Sequence, residues 1–157
     1  MDYTYLQSPL CRLLIAGEDG ILNSVRFLPS QDSFKPPADW RLNAKPLEKA
    51  IHQLEAYFAG ELKQFSLKIA FKGTAFQSLV WNFLRQSTYG ETITYGELAR
   101  QIGNPKACRA VGAAAARNPL PIVIPCHRVV GSSGKLVGFG GGLELKQALL
   151  NHEREHI

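Results

Sequence analysis

The chain has 157 residues, of which 45% are hydrophobic and 20% charged, so it can build a packed core and is not expected to be disordered. A formal net charge of +5 fits a polyanionic partner, although many basic soluble proteins bind nothing charged. No run approaches the ~20 apolar residues that span a bilayer, and the N-terminus lacks the basic and apolar regions of a signal peptide. We therefore expect neither a membrane protein nor a secreted one.

The three cysteines, Cys11, Cys108 and Cys126, are an odd and widely spaced set, which is a poor disulfide framework. Free thiols favour a reducing compartment, so a cytoplasmic protein is expected. The four histidines do not lie at zinc-ligand spacing from any cysteine, and we expect no metal.

The first half of the chain has the pattern of a small α/β unit. A strand-like region that ends at residue 28 contains the turn 17–20, and the Asp-Gly pair in this turn predicts a β-hairpin. Four prolines make residues 29–46 a predicted loop. Apolar residues at helical spacing predict a helix over 47–58, and strict alternation predicts a further strand over 65–71.

The second half, beyond Gly73, is mainly helical in pattern. Thr74 and Thr94 are candidate N-caps of two helices, over 76–84 and 95–101. Asn104 followed by Pro105 predicts that another helix starts there and runs to about residue 116, which gives a helix-turn-helix. The remaining predicted elements are a short extended segment over 121–125, a Gly-rich loop over 131–142 and a helix from about Leu143.

Cys126 lies in a segment that could make its thiol reactive. A thiol becomes a strong nucleophile only when it loses its proton. The adjacent His127 is a candidate base, and Arg128 could stabilise negative charge or brace the loop. The alternative is a buried structural cysteine beside a surface histidine and arginine. Spacing alone slightly favours this alternative, because adjacent side chains on a strand point apart.

The second helix of the helix-turn-helix combines cations with small residues. Lys106, Arg109 and Arg117 accompany the small-residue stretch 110–116. A slim helix can approach a nucleic-acid groove while its cations meet phosphates. Tight packing against a neighbouring helix, with a solvated basic face, explains the same composition equally well.

Three further features are less specific. The Gly-rich loop 138–142 lacks the ending of a phosphate-binding P-loop and is more typical of a flexible pocket wall. By itself, Glu153 is interpreted as an ordinary surface carboxylate, and Tyr95 as a half-buried aromatic.

Taken together, these segments resemble one family. Residues 125–130, Pro-Cys-His-Arg-Val-Val, resemble the active-site signature of the O6-alkylguanine-DNA alkyltransferases, also called methylated-DNA–protein-cysteine methyltransferases. The resemblance covers residues 74–154 and has many parts in the family's order and spacing, while the first half matches only loosely. The other similar segments are Thr-Tyr-Gly-Glu-Leu-Ala at 94–99, Gly-Asn-Pro-Lys-Ala at 103–107, Arg-Ala-Val-Gly at 109–112, Arg-Asn-Pro at 117–119, Gly-Gly-Leu at 141–143, and Leu-Leu at 149–150 followed by Glu153.

The resemblance implies a fold and an activity. It implies an α/β domain of ribonuclease-H-like topology over residues 1–72 and a mainly helical domain with a winged helix-turn-helix over 73–157. The implied activity is direct repair, in which an alkyl group such as methyl passes from O6 of guanine irreversibly to Cys126, with O4 of thymine as a further candidate substrate. The implied partner is double-stranded DNA carrying O6-alkylguanine, bound by a monomer that needs no cofactor and no membrane.

The resemblance also implies roles for individual side chains. Cys126 would accept the alkyl group, and His127 would take its proton through a water. Glu153 would orient the imidazole and stabilise the imidazolium that forms. Asn118 would hold the active-site turn, and Tyr95 would crowd the 3′ phosphate of the target nucleotide and assist protonation of the leaving guanine.

DNA contacts follow from the same resemblance. Arg109 would fill the gap left by the extruded nucleotide, since a thiolate cannot reach O6-alkyl carbon in a stacked base. The other implied DNA-binding residues are Tyr95, Lys106, Ala110, Arg117 and Arg128. The implied base-pocket residues are Val129, Phe139, Gly140, Gly141 and Lys146. Phe139 stands where many members have Tyr, and Gly140 where some have Ser.

Two other functions compete with repair. Alkyltransferase-like proteins recognise alkylated DNA without removing the lesion, but their signature has Trp where this chain has Cys126. A transcription regulator could use the helix-turn-helix, but it would not need the Pro-Cys-His-Arg element.

Overall fold

A computed structural model describes residues 1–139 and 141–157, and residue contacts divide the chain into two units, Met1–Phe71 and Lys72–Ile157. None of the helices in these described ranges has both the length and the apolar run that crossing a bilayer requires. Within the same ranges, no three His, Cys, Asp or Glu side chains are grouped so that they could hold a metal ion.

The N-terminal unit is built on a four-stranded sheet. The strands are β1 (Asp2–Gln7), β2 (Arg12–Glu18), β3 (Ile21–Leu28) and β4 (Arg41–Leu42), in the order β3-β2-β1-β4. Strands β1, β2 and β3 are antiparallel, and the short β4 runs parallel to β1.

The predicted hairpin is confirmed and joins β2 to β3. Glu18 pairs with Ile21, so the turn consists of Asp19 and Gly20 alone. Both have positive φ, 53° and 76°. A two-residue turn with two positive φ angles matches the right-handed twist of the strands, which is why Asp-Gly is favoured there.

The predicted helix of the first half is also confirmed. Helix α1 (Glu48–Phe58) buries Ala50, Leu54 and Tyr57. The chain leaves it at Gly60, whose φ of 78° is a conformation that glycine adopts without steric cost.

The strand predicted over residues 65–71 is wrong. This segment forms one isolated parallel bridge, Leu22 to Ile69, through bonds from Leu22 N to Lys68 O and from Ala70 N to Leu22 O. The Ser66 amide is bonded instead to the Gln53 side chain of α1. The alternation therefore reflects a half-buried face, and the backbone groups do not continue as a ladder.

The C-terminal unit is mainly helical. Its helices are α2 (Ala75–Arg85), α3 (Tyr95–Gln101), α4 (Cys108–Ala116) and α5 (Leu143–Glu155), and its short parallel strands are β5 (Ile93–Thr94) and β6 (Val129–Val130). The predicted N-caps of α2 and α3 are confirmed: Thr74 Oγ1 accepts from Gln77 N, and Thr94 Oγ1 from Glu97 N, each at 3.1 Å.

The predicted start of α4 at Asn104 is wrong. Ala107 N donates to Asn104 O across a turn that contains Pro105, and the helix begins only at Cys108. Asn-Pro therefore forms a β-turn here, with Pro at the turn position for which its fixed φ is suited.

The segment 121–125 was expected to be extended, and this is also wrong. It is a tight turn in which Ile124 N donates to Leu120 O and Ile122 has a φ of 75°. A β-branched residue at positive φ costs roughly 1–3 kcal/mol and persists only where its surroundings enforce it. The turn delivers the chain directly to Cys126.

We expect the indole of Trp81 to be a main link between α2 and α4. Trp81 is 1% exposed, and its Nε1 donates to Ala114 O at 2.8 Å. Trp81→Phe removes this buried donor and leaves Ala114 O with the longer, 3.2 Å bond from Arg117 N, so it should lower the free energy of unfolding by about 0.5–1.5 kcal/mol or more. Urea denaturation followed by circular dichroism measures the change. Trp40→Phe, at a partly buried position of the other unit, is the matched control, and an equal loss in both variants would contradict the role of the bond.

Candidate active site

Cys126, His127 and Arg128 form a buried 3₁₀ turn between the 121–125 turn and β6. Their exposed fractions are 6%, 0% and 5%. The interpretation that placed a surface histidine and arginine beside a buried cysteine is therefore wrong, because all three side chains lie inside the C-terminal unit.

Asn118 holds the turn that precedes Cys126. Its Nδ2 donates to Ile124 O at 2.7 Å, and its Oδ1 accepts from Leu120 N at 2.9 Å. One side chain thus closes both ends of the turn in which Ile122 has positive φ. The sequence predicted this role through the family resemblance.

Glu153, on α5, is fully buried and accepts hydrogen bonds on both of its carboxylate oxygens. Its Oε1 accepts from Arg128 Nε at 2.9 Å and from Gly90 N at 3.2 Å. Its Oε2 accepts from Arg128 Nη2 at 3.1 Å and lies 2.6 Å from His127 Nε2. The interpretation of Glu153 as a surface carboxylate is wrong, because partners distant in sequence enclose it.

The charge state of Glu153 follows from these contacts. Burial alone would raise its pKa, but the hydrogen bond from His127 and the guanidinium of Arg128 hold the pKa far below its usual range. The carboxylate is therefore ionised and acts only as an acceptor, which assigns the proton between it and His127 to Nε2.

His127 is poised as a neutral base. Burial lowers its pKa, and the charges of Arg128 and Lys146 act in the same direction, while Glu153 opposes them. Since Nε2 faces Glu153, Nδ1 is the free base atom, and it is buried without a hydrogen-bond partner among the described residues.

Cys126 itself is a protonated thiol at neutral pH. Burial raises its pKa to about 11, although a hydrogen bond from Asn118 and the charge of Lys146 act to lower it. A thiol in this state is weakly nucleophilic until a base removes its proton during the reaction.

Arg128 braces this site, and its assignment to the DNA-binding set is wrong. Its side chain is 6% exposed, and its guanidinium makes a bidentate pair with Glu153. Its Nη1 also donates to Ser87 O at 3.0 Å and Ser87 Oγ at 2.9 Å. A side chain engaged in this way is not available to a phosphate.

Tyr95 and Lys146 meet at the Gly-rich loop. Tyr95 Oη donates to Val137 O at 2.9 Å, and Lys146 Nζ donates to the same carbonyl at 2.9 Å and to Gly138 O at 3.3 Å. Lys146 has no exposed surface, and burial lowers its pKa. The two side chains thus fix the beginning of the loop that was expected to line a base pocket.

The structure describes three of the four other residues that were predicted to line the base pocket. Val129 is buried in β6, where it pairs with Ile93 of β5. Phe139 and Gly141 are half-buried. Gly140 lies outside the described residues.

The expected DNA-contacting residues lie on and around α4. Lys106, Arg109, Ala110 and Arg117 are all exposed. Tyr95, from α3, packs close to this helix, because a Cβ added at Gly112 would lie 3.7 Å from its ring. The small residues of α4 therefore serve a close helix contact on one side while the cations stay in solvent.

Ser87 and Gly90 belong to the site but carried no clear sequence signal. Both lie in the connection after α2, and each bonds to a residue that is 41 or 63 positions away. Gly90 has a φ of 81°, and a Cβ there would lie 2.8 Å from Ile157, so its glycine identity was the one available hint.

We expect Cys126 to react slowly with a small, unspecific alkylating agent despite its place in the site. At about pH 7.5, iodoacetamide should modify it at least about tenfold more slowly than Cys108, because the buried thiol is protonated. Cys108 is the matched control, since it is exposed on α4 of the same unit. Peptide mapping by mass spectrometry gives both rates, and faster modification of Cys126 would contradict the assigned thiol state.

Comparisons with known proteins cover the whole chain. Residues 1–71 match the family model of the 6-O-methylguanine DNA methyltransferase, ribonuclease-like domain, and residues 75–155 match that of the 6-O-methylguanine DNA methyltransferase, DNA binding domain. A methylated-DNA–protein-cysteine methyltransferase from Methanosarcina acetivorans is 50% identical, with 98% of each chain covered. One from Mycolicibacterium paratuberculosis is 46% identical, with 99% of this chain and 94% of the relative covered.

Solved structures of proteins with related names also match almost the whole chain. A crystal structure of Mycobacterium tuberculosis OGT in complex with DNA matches with a TM-score of 0.92 and 44% identity, covering 99% of this chain and 94% of that chain. The O6-methylguanine-DNA methyltransferase from Pyrococcus kodakaraensis matches with a TM-score of 0.71 and 26% identity, covering 97% and 98%. The expected architecture of a ribonuclease-like domain followed by a DNA-binding domain is confirmed. The chain belongs to the 6-O-methylguanine DNA methyltransferase family.

Proposed function

We propose that this protein repairs alkylated DNA by moving the alkyl group from O6 of guanine to Sγ of its own Cys126. The observation that carries the proposal is the buried chain of contacts from Arg128 through Glu153 to His127, the residue that follows Cys126 in the chain. Family membership and relatives that are named methylated-DNA–protein-cysteine methyltransferases support it.

The proposed reaction is an in-line displacement. His127 Nδ1 takes the thiol proton through a water while Sγ attacks the alkyl carbon, and the bond from that carbon to O6 breaks. The imidazolium is stabilised by Glu153, and the departing guanine gains one proton with help from Tyr95, which balances the proton that the thiol loses. The product is a thioether that is stable to water, so each molecule acts once and needs no cofactor.

The raised pKa of Cys126 suits a protein that reacts only once. A permanent thiolate would react with any small electrophile, whereas a buried thiol of pKa about 11 reacts only when substrate and base are both in place. The neutral state of His127, favoured by burial, keeps the base ready at neutral pH.

The target base must leave the helix to reach Cys126, and we propose that α4 supports this step. Arg109 fills the space left by the flipped nucleotide, while Lys106, Ala110 and Arg117 face the DNA backbone. Tyr95 adds a contact to the 3′ phosphate. We expect the pocket for the base to be lined by Val129, Phe139 and Gly141, with Lys146 fixing the loop.

The remaining proposals concern the domain boundary, the location of the protein and its oligomeric state. We place the domain boundary at residues 72 and 73, and we propose a cytoplasmic monomer that acts on double-stranded DNA. One site receives one flipped nucleotide, so a single copy of the chain suffices.

Intact-protein mass spectrometry tests the function. Mixing the protein with a duplex that carries one O6-methylguanine should add one methylene, about 14 Da, as S–H becomes S–CH3. Cys126→Ser should gain nothing, and Cys108→Ser, which removes an exposed thiol, should gain as much as the wild type. Selective binding of the lesion without any gain in mass would instead identify a recognition module.

The role of Arg109 in flipping is tested by comparing two substrates. Arg109→Ala should slow repair of a duplex lesion about tenfold or more, because it removes part of the compensation for an unstacking cost of a few kcal/mol. Reaction with free O6-benzylguanine should stay unchanged, since nothing is flipped. Arg100→Ala, which removes an equal charge from an exposed site on α3, controls for weaker DNA attraction. Equal losses on both substrates would contradict the wedge role.

A further inference from the structure

Ser87 is tied into the proposed catalytic site although it lies on a different part of the chain. Its Oγ donates to Leu84 O at 2.7 Å and accepts from Arg128 Nη1 at 2.9 Å. A hydroxyl has one proton, and that proton goes to Leu84. The lone pairs are therefore directed toward the guanidinium, so the orientation of Ser87 is that of a dedicated acceptor.

The backbone near Ser87 adds two more contacts to the same group of side chains. Ser87 O accepts from Arg128 Nη1 at 3.0 Å, and Gly90 N donates to Glu153 Oε1 at 3.2 Å. Residues 87–90 thus contact both Arg128 and Glu153, and the last turn of α2 anchors them through Leu84.

We propose that Ser87 is a positioning residue for alkyl transfer, which holds Arg128 so that Arg128 in turn fixes Glu153 and the base His127. This inference rests on the proposed function. Ser87 does not touch the thiol or the substrate, and it acts through two intervening side chains.

A cleft beside Ser87 can receive the guanidinium of Arg128 when its hydrogen bond to Ser87 is lost. A cleft of about 280 Å³ is lined by Arg128, Ser87, Thr88, Glu91 and Glu97. The two carboxylates in this cleft would attract a released guanidinium away from Glu153. The hydroxyl of Ser87 therefore favours the pairing of Arg128 with Glu153 over pairing with the carboxylates of the cleft.

Displacement of Arg128 has a distinct chemical effect. The charged groups that act on His127 are Glu153 and Lys146 from α5 and Arg128 beside it, with the Cys126 thiol adjacent in the chain. Of these, Arg128 and Lys146 lower the pKa of His127. When Arg128 moves away, that pKa rises, the imidazole becomes protonated at higher pH, and the base form is lost earlier on acidification.

The test measures transfer from free O6-benzylguanine as a function of pH, which removes DNA binding from the comparison. Ser87→Ala should lower the rate at neutral pH by about three- to tenfold, and the acidic fall of the pH profile should move to higher pH. Thr88→Ala, at the exposed neighbouring position, should behave as the wild type.

A matched pair separates the hydroxyl from simple packing. Ser87→Thr keeps the hydroxyl, and Ser87→Val has the same shape without it, so the pair decides the question even if Ser87→Ala folds poorly. The proposal expects wild-type behaviour from Thr and the shifted profile from Val. Equal profiles for Thr and Val, or an unmoved acidic fall in Ser87→Ala and Ser87→Val, would overturn it. Absence of transfer by the wild type from both free O6-benzylguanine and a duplex O6-methylguanine would instead refute the proposed function.

Discussion

Glu153 is an ionised carboxylate without exposed surface, and the rest of the site depends on the contacts that make this state tolerable. A buried charge is costly unless it is paired and fully hydrogen-bonded. Here a bidentate guanidinium, a backbone amide and an imidazole all contact the carboxylate. The same bonds join α5 to the 3₁₀ turn of Cys126 and to the connection after α2, so one carboxylate organises three parts of the C-terminal unit.

The chemistry follows from this arrangement of charge. Because Arg128 neutralises Glu153, the carboxylate can orient the imidazole without forcing it to be protonated, and burial keeps His127 in its base form. Burial also keeps Cys126 as a thiol. We therefore expect the site to stay unreactive until a substrate fills it, which fits a protein that is consumed by one reaction. The strained turn at Ile122, closed by Asn118, leads directly into Cys126.

Features that depend on neighbouring residues were predicted well from the sequence, whereas contacts between residues distant in the sequence were not. The caps at Thr74 and Thr94 and the turn at Asp19 depend on neighbours within three residues, so the sequence alone specifies them. The strand over 65–71 failed because its pattern records burial but not hydrogen-bond partners. Glu153 looked like a surface residue because its partner His127 is 26 positions away, and only the family resemblance connected the two. The family resemblance included neither Ser87 nor Gly90, so their place in the site was not predicted.

The protonation state of His127 tests the central arrangement most directly. Nitrogen-15 NMR of the imidazole distinguishes its two neutral tautomers from the imidazolium, and His127→Gln identifies the signal among the four histidines. At neutral pH the expected result is a neutral ring with its proton on Nε2, facing Glu153, and a bare Nδ1 as the base. A ring that is already an imidazolium, or one protonated on Nδ1, would contradict the proposal that His127 waits as the base for Cys126.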